Sequence, residues 1–311
     1  MHRIAVLATV LLLPLSACGA GGDDGAAPGQ PTVLTSFYPL QFVAERIAGE
    51  HAVVESLAAP GVEPHDLELS VRQVADLGNA DLVFYEAGLQ PAVDDALDNV
   101  DAEHTLDVAG VVELAHADEH DADEEHADED SEDDHGHEGL DPHFWLDPTL
   151  LAESADAFTE KISDIDPDHA SDYAAANTTL QQQLTELDSE FQAGLATCRT
   201  RAIVVSHDAF GYLGARYDLE ILPIAGLSPD AEPSPKHLGE LADLIQEKGI
   251  TTVFNERLAS PALSRTLADE LGLRTAVLDP IEGLASEDGD DDYLSLMREN
   301  LSSIREADSC K

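Results

Sequence analysis

His65, His143, His207 and Asp279 are the residues of this chain best placed to do chemistry together. His65 sits in Gly61-Val62-Glu63-Pro64-His65-Asp66, and His143 in Asp141-Pro142-His143-Phe144-Trp145-Leu146-Asp147-Pro148. His207 directly follows a strand pattern ending at Ser206, and Asp279 follows another and precedes Pro280. Three neutral imidazoles and a carboxylate fill a tetrahedral zinc shell, whereas manganese and magnesium favour oxygen-rich shells. The prolines before His65 and His143 limit backbone freedom and hold those ligands open for a metal. Glu63, Asp66, Asp141, Asp147 and Asp208 are near enough in sequence to orient the imidazoles. His51, His104, His169 and His237 stand alone in polar surroundings and read as solvated.

These residues need elements to carry them. Strand patterns fall at residues 32–35, 52–57, 81–85 and 104–108, with helix patterns at 39–49 and 70–78. The second half repeats the theme, with strands at 201–206, 220–224, 251–255 and 274–278. Its helices fall at 210–217, 234–248, 261–271 and 293–307. Alternation of this kind predicts an α/β fold with parallel sheets. Ligands bind such sheets beyond the C-terminal ends of the strands, which is where three of the four candidates stand. Residues 148–195 have no strand signal and are rich in Ala, Leu, Gln and Glu, all good helix formers. Asp166-Pro167-Asp168 breaks that stretch and starts a second, longer helix over 167–195, about 40 Å long at 1.5 Å per residue.

The ends of the chain carry different signals. Residues 1–17 read as a signal peptide: Arg3 precedes an apolar run too short to span a bilayer. Leu15-Ser16-Ala17-Cys18 resembles a bacterial lipobox, making Cys18 the lipid anchor, and residues 18–31 form a flexible tether. The chain is therefore expected outside the cytoplasm, anchored to the outer face of the cell membrane or periplasmic. In that oxidising setting Cys198 and Cys310 are expected to pair. The formal net charge is -49, from 64 acidic and 15 basic residues. A surface so acidic repels phosphate backbones and excludes nucleic acid as a partner.

Residues 116–138 concentrate that charge. The run is nearly all Asp, Glu and His, has no apolar face and is predicted to be disordered. His116, His120, His126, His135 and His137 supply imidazoles within a strong negative potential, the makings of an auxiliary, low-affinity metal loop.

The four motifs, with Ser206-His207-Asp208-Ala209-Phe210-Gly211-Tyr212 and Leu278-Asp279-Pro280-Ile281-Glu282-Gly283-Leu284 as the third and fourth, resemble those of the zinc/manganese-type solute-binding proteins of ABC importers. The match runs in order from about residue 32 to the end. The resemblance implies two α/β lobes, each with a four-stranded parallel sheet, joined by one long rigid helix with the metal between them. The corresponding boundaries are an N-terminal lobe at 32–165, a linking helix at 166–198 and a C-terminal lobe at 199–311. It implies His65, His143, His207 and Asp279 as ligands, with Glu63 or water still open for the fourth position. Manganese-type members usually carry Glu where this chain has His207, which points to Zn2+ over Mn2+. The implied partners are a membrane permease and its ATPase, with the chain acting as a monomer and not as an enzyme. Three alternatives stand beside this reading: a manganese-type binding protein, a surface adhesin or metal buffer, and an exported zinc hydrolase using Glu63 as base. The hydrolase lacks an H-E-x-x-H motif, and Asp279 would fill the position its water needs.

Overall fold

The computed structural model describes residues 29–99, 105–116, 139–286 and 291–311. Cys18, His104, His120, His126, His135 and His137, with the signal and residues 18–28 of the tether, lie outside them. Among the described residues, no helix is long and apolar enough to cross a membrane.

The first half builds a parallel sheet from β1 (Thr32–Thr35), β2 (Val53–Ser56), β3 (Leu82–Tyr85) and β4 (Thr105–Asp107), in the order β2-β1-β3-β4. The second half repeats it with β5 (Ala202–Val205), β6 (Glu220–Pro223), β7 (Thr252–Asn255) and β8 (Arg274–Val277), in the order β6-β5-β7-β8. In each sheet the chain winds outward from its first strand in both directions. The strand ends beside that first strand therefore open a crevice at the C-terminal edge.

Local chemistry sets the helices between strands. In α1 (Tyr38–Ala48), Pro39 occupies the first turn, where its missing N–H costs nothing, and Gly49 ends the helix with φ 55°. Its buried face runs through Leu40, Val43 and Ile47, leaving Glu45 and Arg46 in solvent. A Ser70–Gln73 capping box starts α2 (Val71–Leu77), and α3 (Pro91–Leu97) begins on a proline. The sequence reading has no counterpart for α3, a seven-residue helix that starts after Gln90 without a side-chain cap. In the second half, α6 (Gly211–Tyr217), α7 (Pro235–Lys248) and α8 (Ala262–Leu271) link the strands, and α9 (Tyr293–Ala307) closes the chain.

Between the sheets lie α4 (Pro148–Ile165) and α5 (Ala170–Leu195). The long helix starts three residues later than its sequence pattern, because Pro167–His169 forms a separate 3-10 turn. The 26 residues of α5 span about 39 Å. Tyr173, Asn177, Leu180, Leu184, Leu187, Phe191 and Leu195 are buried along it at spacings of three and four, a narrow seam like that of a coiled coil. That seam belongs to a single hydrophobic core that includes β1, α1, α4, α5, β5, α6 and α9 and so crosses from one half to the other. Two smaller clusters cover the outer faces, around Leu77 and Val83 in the first sheet and around Leu241 and Val253 in the second. Cys198, just beyond α5, is joined by a disulfide to Cys310, just beyond α9.

Candidate metal centre

The crevices of the two sheets face each other, and four side chains meet between them. His65 rides on the 3-10 turn Pro64–Asp66 after β2, and its main-chain N–H donates to Glu63 Oε1 at 3.2 Å. His143 immediately precedes the 3-10 turn Phe144–Leu146, and His207 stands two residues past β5. The fourth is Glu282, in the turn after β8. Nε2 of His143 lies 3.4 Å from Nε2 of both His65 and His207. Glu282 Oε1 lies 3.3 Å from Nε2 of His143, 3.3 Å from Nε2 of His207 and 3.6 Å from Nε2 of His65.

These separations have the size of a zinc shell. Ligand distances of about 2.0–2.1 Å place tetrahedral donors roughly 3.3–3.4 Å apart. His143, His207 and Glu282 are buried and His65 half-buried, so the donors are already removed from bulk water. Neither Glu282 oxygen has a hydrogen-bond partner among the described residues. A carboxylate left so costs free energy unless a cation compensates it.

Carboxylates behind the rings orient the nitrogens. His143 Nδ1 lies 2.7 Å from Asp141 Oδ1, and His207 Nδ1 lies 2.6 Å from Glu256 Oε1. Each carboxylate accepts the Nδ1 proton and so turns the Nε2 lone pair to the centre. Glu256 also accepts from Ser206 Oγ. Burial alone would lower the pKa of His207, but the hydrogen bond to Glu256 and the negative charge of Glu282 outweigh it and push it up to about 10. For His143 burial again opposes protonation, and Asp141 with Glu282 reverses the sign and raises it. Burial works to raise Glu282, yet the histidines around it hold it well below the carboxylate range. Burial, and then the charge of Glu282, lifts Glu63 up to about 8.

Asp279 does not join the four. Its Oδ2 takes Arg257 Nε at 2.9 Å and its Oδ1 accepts the Ile281 N–H at 2.9 Å. Asn300 brackets its main chain, accepting from Asp279 N at 2.8 Å and donating to Asp279 O at 2.6 Å. Asp279 thus closes a local turn in which Ile281 takes φ 61°, a left-handed conformation costly for a β-branched residue. That turn swings Glu282 inward in its place. The sequence carried a usable signal: an Asp side chain tends to bind the main-chain N–H two residues on, which commits it locally. The next carboxylate, Glu282, is then the free one.

The other candidates fall elsewhere. His116 is exposed and forms an isolated antiparallel bridge with Leu140, which brings the two stems of the acidic run together. Asp147 caps α4 by accepting the Thr149 N–H. Three of the four histidines read as solitary are engaged: His51 and His169 stack at 4.1 Å between ring centroids, and His237 Nε2 lies 2.9 Å from Pro223 O.

Two parallel sheets, a helix bridging them and a buried four-donor centre at their junction define a cleft-type metal-binding protein. Residues 33–307 match the family described as zinc-uptake complex component A, periplasmic, and the chain belongs to that family. It is 33% identical over 316 residues to the zinc-binding lipoprotein AdcA of Streptococcus pneumoniae, an alignment covering 98% of this chain and 61% of the relative. The chain therefore spans about six tenths of that relative's length. It is also 33% identical to the high-affinity zinc uptake system protein ZnuA of Bacillus subtilis, covering 97% of this chain and 96% of the relative. Among solved structures, the Zn(II)-bound ZnuA-like domain of S. pneumoniae AdcA superposes with a TM-score of 0.73 at 32% identity, covering 90% of this chain and 99% of that one.

Proposed function

We propose that this protein captures zinc outside the cytoplasm between His65, His143, His207 and Glu282, and delivers it to the permease of an ABC importer driven by its ATPase. The observation that carries the reading is the convergence of three Nε2 atoms and one carboxylate oxygen at tetrahedral spacing. Three nitrogens favour zinc over manganese. The family and the names of the relatives support zinc as the cargo. Glu282 takes the position that the water of a zinc hydrolase would need, so the reading is of a carrier. In this reading Cys18 carries the lipid that holds a monomer at the membrane.

Zinc and manganese offered together to chelator-stripped protein, with native mass spectrometry as the readout, test the proposal. One tightly held zinc, lost or weakened in His207→Ala, is the expected result. Preference for manganese, or no tight metal, overturns it.

A further inference from the structure

Asp141 belongs to the first half of the chain, yet the surface it rests on belongs to the second. Its Oδ1 accepts two hydrogen bonds from His143, one from the main-chain N–H at 3.0 Å and one from ring Nδ1 at 2.7 Å. Asp141 N donates to Ala115 O at 2.8 Å. Asp141 O accepts from Tyr212 Oη at 2.7 Å, and the same hydroxyl accepts the Ala115 N–H at 2.7 Å. Tyr212 is in the first turn of α6, and the residue before it is Gly211. A Cβ on Gly211 would stand 2.8 Å from Asp141 Oδ2, closer than real Cβ contacts come. The Asp141 side chain cannot swing aside cheaply, because its other oxygen is held twice and its main chain is held on both sides.

We infer that Gly211 and Tyr212 form a seat, contributed by the C-terminal lobe, that fixes Asp141 and through it the ring of His143. They are positioning residues for metal binding: neither touches the ion, and both decide where the carboxylate behind His143 stands. Gly211 serves by having no side chain, so that α6 lies directly against Oδ2. Tyr212 serves by tying the Asp141 carbonyl to Ala115 across one hydroxyl. His207 has its own carboxylate in Glu256, from its own lobe. The two buried imidazoles are therefore set independently, and only His143 depends on how the lobes meet.

This inference rests on the zinc-capture reading and has a separate test. Zinc affinity of the full chain would be measured by chelator competition for the wild type, Gly211→Ala, Tyr212→Phe, Asp141→Ala and the Gly211→Ala/Asp141→Ala double variant. Loss of a group that orients a metal-bound imidazole typically weakens binding 10–100-fold. Gly211→Ala is expected to weaken zinc about 10-fold, Tyr212→Phe by a smaller factor, and the double variant no more than Asp141→Ala alone. With Oδ2 gone, the added methyl has nothing to strike. In nuclear magnetic resonance of the zinc-bound protein, the Nδ1 proton signal of His143 should move in Gly211→Ala and Tyr212→Phe, while that of His207 stays.

Costs that multiply in the double variant, an unmoved His143 signal or wild-type affinity in Gly211→Ala would each overturn the seat. Should Gly211→Ala fail to fold, Tyr212→Phe carries the same test through the His143 signal. A wild type without tight zinc would sink the functional reading itself, whereas a tight wild type with unaffected variants sinks only the seat.

Discussion

Asp279 and Glu282 stand three positions apart after β8 and serve opposite ends of one turn: Asp279 closes it against Arg257 and Ile281, and Glu282 enters the histidine cluster. Their substitutions should separate accordingly. Glu282→Ala removes a proposed zinc donor and should weaken zinc by about 30-fold or more, on the order of the 2 kcal/mol or more at stake when a buried charge loses its partner. Asp279→Ala leaves Arg257 with Glu299 as its remaining partner and frees the turn. Its main effect should be a lower melting temperature, with a smaller loss of zinc affinity. Calorimetric titration and thermal melts on both variants check this; equal losses of zinc from both would contradict it.

Glu86 follows β3, is 1% exposed and has no hydrogen-bond partner for either oxygen among the described residues. Burial, with Asp107, Asp141 and Asp94 nearby, raises its pKa well above the ordinary 4.5. The folded state therefore holds a proton there that the unfolded chain has released. Its contribution is fully present below about pH 4.5 and declines by up to about 1.4 kcal/mol per pH unit until the folded-state pKa is passed. Glu86→Gln should be more stable than the wild type at pH 8 and show a flatter stability–pH curve between pH 5 and 8. Denaturant melts across that range measure it, and parallel curves for the two proteins would refute the assignment.

How much of this was legible in sequence depended on how local the cause was. The eight strands stand within a residue or so of the runs read for them; the central strands β1, β3, β5 and β7 are mostly buried and so advertise themselves by composition. The helix starts at Ser70 and Ser234 were readable because the cap is local: each serine side chain accepts a main-chain N–H three residues on. Pro64-His65 and Pro142-His143 marked two members of the centre. Glu282 was harder to read: the tendency of Asp279 to bind the Ile281 N–H is a local signal, but Asn300 and Arg257, which hold that turn in place, are brought to it only by the fold. The Gly211–Asp141 approach was invisible in principle: 70 positions separate two residues from different lobes, and a glycine in a helix pattern signals nothing about what rests on it.

The Cys198–Cys310 disulfide closes a separation of 112 residues. A loop of that length removes much unfolded-state entropy, so its loss typically costs about 2–5 kcal/mol. Cys198→Ser/Cys310→Ser should therefore unfold at lower denaturant while binding zinc with unchanged stoichiometry, since neither sulfur belongs to the four-donor group. Denaturant midpoints and native mass spectrometry are the two readouts; loss of the bound zinc would refute this separation of roles.

Capture of the metal should proceed with little motion of the lobes. The hydrophobic core runs unbroken from one half to the other through α5. Trp145 Nε1 donates to Pro280 O at 2.6 Å, and Tyr293 Oη donates to Trp145 O at 2.5 Å, so one indole is fastened twice to the second half. Tyr38 N donates to Glu282 O at 3.2 Å and Gly61 N to Leu284 O at 2.7 Å, which couples the backbone beside Glu282 to the first half. A hinge needs a few residues free to absorb large dihedral changes, and here the crossing segments are helix, core or hydrogen-bonded loop. Metal-free and zinc-loaded protein should therefore differ by less than about 0.5 Å in a radius of gyration near 19 Å, as measured by X-ray scattering. Trp145→Phe removes the indole donor and should widen that difference. A wild-type change of several ångströms would place a working hinge where the packing leaves none.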